Sequence, residues 1–134
     1  LSLYTRLDNC ETEEELQAFH AELQDRFGPI PQQVEDLFTT IRCRRWAVDI
    51  GFEKMTLKER TLRCYFVSNP DSPYFESPLF QRLLHYVQTD MHKAQLKQTG
   101  KLFLLVVQDV ADMDALRRLL ERMHAAVVLQ QTSA

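Results

Sequence analysis

The chain has 134 residues, enough for one domain around one core, and its 45% hydrophobic and 26% charged content excludes an intrinsically disordered polypeptide. A net charge of −3 withholds the basic excess on which a free-standing DNA binder relies. Cys10, Cys43 and Cys64 are odd in number, far apart and in no C-x-x-C pair, which excludes a disulfide framework and a local zinc site.

Those cysteines read as buried free thiols, and with no apolar run near the ~18 residues of a membrane span the chain is expected to be cytoplasmic. It opens on Leu1 rather than Met, so it is expected to be a piece of a longer polypeptide. Leu1, Leu3, Tyr4 and Leu7 share one face of a short entry helix, which Asp8-Asn9 breaks. Thr12 stands three residues before Glu15, the spacing of a capping box. Leu16, Phe19, Leu23 and Phe27 then form one apolar stripe, and Gly28-Pro29 stops the helix. Glu22 and Arg26 are an i,i+4 pair, and with Asp25 they lie off that stripe, so they should face outward.

Pro31 opens a third helix at a first helical position. Val34, Leu37, Phe38, Ile41 and Val48 make one stripe along it, and Cys43, Trp46, Ala47 and Ile50 make a second. A helix apolar on two sides is packed on two sides, which makes this the central helix, with Gly51 as its stop. After Gly51 the period changes to two. Phe52, Lys54 and Thr56 alternate with Glu53, Met55 and Leu57, residues 58–60 turn, and residues 61–67 return with Leu62, Cys64 and Phe66 on one face. Residues 68–73 are turn chemistry, and Tyr74-Phe75 should fold back on the sheet. Ser77-Pro78 starts a helix with Leu79, Phe80, Leu83, Leu84 and Val87 inward. Residues 92–98 and 101–107 form a second hairpin about Gly100, the latter strand apolar on both faces and therefore interior. A last helix from about Ala111 turns Met113, Leu116, Leu120, Met123 and Val127 inward, and residues 130–134 should fray.

The order α-α-α-β-β-α-β-β-α over a single domain, residues 1–134, predicts an α+β fold. Its core is a mainly antiparallel four-stranded sheet of two hairpins, covered by helices on one side.

No glycine-rich phosphate loop is present, since Gly28, Gly51 and Gly100 fit no such frame. His20, His85, His92 and His124 lie in no nucleophile or metal-ligand spacing, so catalytic and metal-binding residues are expected to be none. A second reading makes the chain an accessory nucleic-acid module of a helicase. It would use Arg42, Arg44 and Arg45 with the aromatics Tyr65, Phe66, Tyr74 and Phe75, although Phe66 fits the core better and the arginines share their helix with Glu35, Asp36 and Asp49. A third reading is a small enzyme whose site only the fold would assemble.

The most distinctive segment runs Glu22-Leu23-Gln24-Asp25-Arg26-Phe27-Gly28-Pro29-Ile30-Pro31. With Leu1-Ser2-Leu3-Tyr4-Thr5-Arg6-Leu7 before it and residues 42–51 after it, the chain resembles the C-terminal domain of the transcription-repair coupling factors. The resemblance covers the first half of the chain in motif order and spacing, and the second half in pattern only. It implies a parent that is a multi-domain DNA translocase acting on stalled RNA polymerase and recruiting excision repair. ATP and magnesium would serve motor domains outside this chain, and DNA would be touched only through that motor, so this piece would need no cofactor. It further implies a regulatory, non-catalytic domain that docks on the parent's UvrB-like module, masks its UvrA-binding surface and restrains translocation. Carried over by motif position, Glu22, Asp25 and Arg26 would contribute to that docking.

Overall fold

The computed structural model describes residues 2–129; the expectations for Leu1 and for residues 130–134 lie outside the described residues. Five helices and four strands follow one another as α1 (Ser2–Asp8), α2 (Glu13–Phe27), α3 (Gln32–Ile50), β1 (Phe52–Lys58), β2 (Thr61–Phe66), α4 (Pro78–Asp90), β3 (Ala94–Thr99), β4 (Leu102–Val107) and α5 (Met113–Val127), with a 3-10 turn at Pro73–Glu76. Both hairpins form as predicted. Their edges meet through an antiparallel β2–β4 pairing, which gives the strand order β1-β2-β4-β3. The strand apolar on both faces, β4, is accordingly interior.

The helices lie on one face of this sheet. Leu62, Cys64 and Phe66 of β2 and Leu105 and Val107 of β4 are buried against Leu83 of α4, Leu116, Leu120, Met123 and Val127 of α5, and Ile50 of α3. Phe66, Tyr74, Phe75, Phe80 and Phe103 stack in one aromatic cluster, so the 3-10 turn does fold back on the sheet. A second, smaller core joins α1, α2 and the N-terminal half of α3 through Leu7, Leu16, Phe19 and Phe38. Helix α3 belongs to both cores. Its two apolar stripes are used in succession along its length, Val34 to Ile41 in the small core and Cys43 to Ile50 in the large one.

Five expectations are corrected. In β1 the register shifts between Phe52 and Lys54, so Glu53 is the extra residue of a bulge. The bulge puts buried Phe52 on the same side as Met55 and Leu57, where strict alternation placed it with Lys54 and Thr56. Val48 is 65% exposed, because α3 has moved to its second stripe by that turn, and Tyr4 is 60% exposed on α1. Phe27, predicted inward, is 73% exposed at the end of α2. The start of β3 moves two residues later, to Ala94. The start of α5 also moves, to Met113, since Asp112 caps it by accepting the Ala115 N–H.

Candidate functional site

The end of α2 is built by strong local signals. Thr12 and Glu15 complete their capping box: the Thr12 hydroxyl accepts the Glu15 N–H at 3.1 Å, and the Glu15 carboxylate accepts the Thr12 N–H at 3.2 Å. At the other end Gly28 takes φ +80°, and its N–H donates to the Gln24 carbonyl at 2.9 Å. The chain passes through Pro29-Ile30 and re-enters a helix behind Pro31, which stands as the N-cap, one position before the first helical residue. This sharp return leaves a groove of about 430 Å³ floored by Leu3, Leu23, Ile30, Pro31 and Val34, with Phe27 beside it.

Of the three predicted site residues, Glu22 and Arg26 line this groove and Asp25 does not, and their states are unequal. Arg26 is exposed, its guanidinium 5.5 Å from the centre of the Phe27 ring. Asp25 is exposed and makes no ion pair among the described residues. Glu22 is tied down. Its carboxylate accepts from both terminal guanidinium nitrogens of Arg6 at 2.6 and 3.0 Å, and it also makes the predicted i,i+4 ion pair with Arg26 at 3.9 Å. That bidentate bond holds the Glu22 carboxyl below its usual range and clamps α1 to α2. Arg6 also lies 4.2 Å over the Phe19 ring, so one side chain serves both the rim and the small core.

Two residues of this surface escaped the sequence reading. The spacing places Phe27 inward, yet it is the last residue of α2, just before the Gly28 cap, and is 73% exposed. Arg6 lies sixteen residues before Glu22, a separation that no helical or strand period connects.

The other candidate groups do not gather into one place. Arg42 is held by Glu13, Arg44 is exposed, and Arg45 points a buried NH2 group that has no hydrogen-bond partner, so these three do not make one patch. His20 bonds Glu35 at 2.8 Å, His124 bonds Asp49 at 2.9 Å, and His85 and His92 are exposed. Among the described residues, no three His, Cys, Asp or Glu side chains stand close enough to hold a metal ion, and no helix is long and apolar enough to cross a membrane.

The TRCF domain model matches residues 1–77, more than half of the chain, and takes in the whole of this surface. The chain belongs to the TRCF domain family. It is similar to the transcription-repair-coupling factor of Rickettsia conorii, 26% identical over 102 residues, which is 76% of this chain and 8% of that protein. It is 37% identical over 60 residues to the Escherichia coli transcription-repair-coupling factor, covering 45% of this chain and 5% of that one. The chain thus spans less than a tenth of the length of the curated relatives it matches. A crystal structure titled as the C-terminal domain of transcription-repair coupling factor superposes with a TM-score of 0.70 at 17% identity, covering 94% of this chain and 79% of that one, a likeness of fold. The family match ends at the aromatic 3-10 turn. The rest of this TRCF domain, from α4 to α5, is joined to the matched part through the β2–β4 pairing and the shared core.

Proposed function

We propose that this TRCF domain is a non-catalytic regulatory module. It docks through the α2–α3 corner onto the UvrB-like module of a transcription-repair coupling factor, and in doing so masks the surface that would take UvrA and restrains the translocase. The observation that supports it best is the composite at the corner, where a 73% exposed Phe27 with the Arg26 guanidinium beside its ring borders an apolar groove, next to exposed Asp25. An exposed aromatic ringed by charges is the composition of an interface hot spot: the ring supplies burial and the charges supply orientation. In one polypeptide the lid sits at high effective concentration, so a modest contact keeps the masked state populated until polymerase and DNA favour the open one.

Glu22 is a poor residue on which to test this, because replacing it frees Arg6 and loosens α1. Asp25→Ala with Arg26→Glu, and separately Phe27→Ala, leave the small core in place. Titration calorimetry against the isolated UvrB-like module is expected to show affinity lowered by at least about tenfold in each, with thermal unfolding within a few degrees of the unaltered chain. Unchanged affinity in both well-folded variants would remove the corner from the interface.

A further inference from the structure

The side of the sheet turned away from the helices carries a charge pattern that the docking corner does not use. Cross-strand partners share a face, so the registers fix which side chains stand there. One row across the four strands reads Lys54–Tyr65–Leu104–Lys97, and the next reads Thr56–Arg63–Val106–Gln95. Lys58 and Thr61 continue the face at one end, and Thr99 and Leu102 at the other. No carboxylate occupies a paired position on this side, because Glu53 falls in the bulge and Glu59 in the hairpin turn. Asp109, just beyond β4, is already held by Lys93 and Arg60. Among the described residues, Lys54, Lys58, Arg63 and Lys97 have no ion-pair partner. A chain of net charge −3 therefore gathers four uncompensated cations on one flat face.

Tyr65 lies in the middle of this face on an interior strand, half-buried beside Leu104, with the Lys54 ammonium 5.3 Å from its ring centre. We infer that this outer sheet face binds single-stranded nucleic acid, with a base stacked on Tyr65 and the phosphates on either side held by Lys54, Arg63, Lys58 and Lys97. The row from Lys54 to Lys97 spans three strand spacings, about 14 Å, and Lys54 to Lys58 runs about 13 Å along β1, so the cations frame the ring on two axes. A flexible lysine can leave the ring to a base and keep its charge for the adjoining phosphate.

Lysines on the edge strands β1 and β3 also guard against edge-to-edge pairing. That role accounts neither for Arg63 on interior β2 nor for the lack of carboxylates on the face. An acidic protein is the other polyanion to weigh. Protein interfaces are depleted in lysine, however, and three of these four cations are lysines around a single aromatic. Stacking with point-charge phosphate contacts fits the face better.

The test is fluorescence anisotropy of a labelled oligothymidylate titrated with the intact chain over a range of salt. Binding is expected at low salt and should fall steeply as salt rises, losing about 0.7 in log–log slope for each phosphate contact removed by mutation. Lys54→Gln with Lys97→Gln should therefore flatten the slope by about 1.4 and weaken low-salt binding at least about tenfold. Tyr65→Ala should weaken it about tenfold more or less uniformly with salt, while Tyr65→Phe stays within about twofold. Arg26→Glu, which lies on the docking corner, should leave oligonucleotide binding unchanged, so the two surfaces fail separately. Absence of binding at low salt, a slope indifferent to Lys54 and Lys97, or displacement by poly-glutamate as effective as by unlabelled oligonucleotide would each overturn the assignment; the last would transfer the face to an acidic protein.

Discussion

Cys64 shows what burial without a polar partner does to an ionisable side chain. It is fully buried on the inner face of β2, and loss of hydration pushes its thiol up to about 12; Cys43, buried on α3, is pushed up to about 11 for the same reason. Below the ordinary thiol pKa near 9.0 both folded and unfolded chains hold these protons, so the thiols impose no pH dependence there. Above it the unfolded chain releases protons that the folded chain keeps, so stability falls as pH rises from about 9 toward about 11 and 12. Thermal unfolding in reductant is expected to show this decline, and Cys43→Ala with Cys64→Ala should start from a lower midpoint yet decline less steeply. Tyrosine ionisation is common to both proteins and cancels in the difference. Parallel curves would mean that the thiols are not the groups responsible. The same burial makes Cys10, half-exposed on the small core, the first to react with a thiol reagent in the native chain.

The junction of α3 and β1 is where one element dictates the next. Gly51 ends α3 at φ +117°, in the left-handed region, and its N–H donates to the carbonyls of Ala47 and Val48. The Tyr74 ring packs so closely that a Cβ on Gly51 would meet it at 2.2 Å, and the Tyr74 hydroxyl donates to the Ile50 carbonyl at 2.8 Å. The aromatic turn is thereby fixed to the helix terminus that launches the first strand. Gly51→Ala should cost upwards of about 2 kcal/mol by urea unfolding, combining backbone strain with a steric clash. In a Tyr74→Ala background the clash disappears, so the added cost of Gly51→Ala should shrink toward about 1 kcal/mol; strictly additive losses would show that the ring does not matter. Much at this scale was legible in the sequence. The capping box, the two glycine stops at Gly28 and Gly51, the hairpin turn at Gly100 and the change of period from 3.6 to two are local signals, and each produced the element it announced. Signals that depend on distant residues were not legible. The bulge at Glu53 is invisible in an alternating pattern, and the order β1-β2-β4-β3 required knowing which hairpin edges meet. Phe27 satisfies its stripe by spacing but stands at the last residue of α2, where it is exposed. The outer-face cations were present as Lys54-x-Thr56-x-Lys58 and Gln95-x-Lys97-x-Thr99, but only pairing brings them together.

The two cores divide the molecule's stability unequally, and this bears on how the proposed docking corner could let go. Among the described residues the large core buries seventeen side chains and the small one four, with α3 running through both. The corner bearing Asp25, Arg26 and Phe27 belongs to the small core, and α1 is held there by Leu7 and by the partly exposed Arg6–Glu22 clamp. Units with fewer buried apolar contacts open at lower free energy than the global transition, so α1 and α2 should exchange their amide hydrogens ahead of β2, β4 and α5. Phe38 projects from α3 into the small core, its ring 5.8 Å from that of Phe19 on α2, and it is fully buried. Phe38→Ala should cost about 3–5 kcal/mol of small-core stability, and its effect should concentrate in α1, α2 and the first half of α3. Protection in β2 and β4 should then persist while α2 becomes labile, as read by native-state hydrogen exchange with mass spectrometry. Equal loss of protection across helices and sheet would show a single cooperative unit. In that case release of the proposed docking corner would have to proceed by rigid-body separation, since α2 could not loosen while the sheet stayed intact.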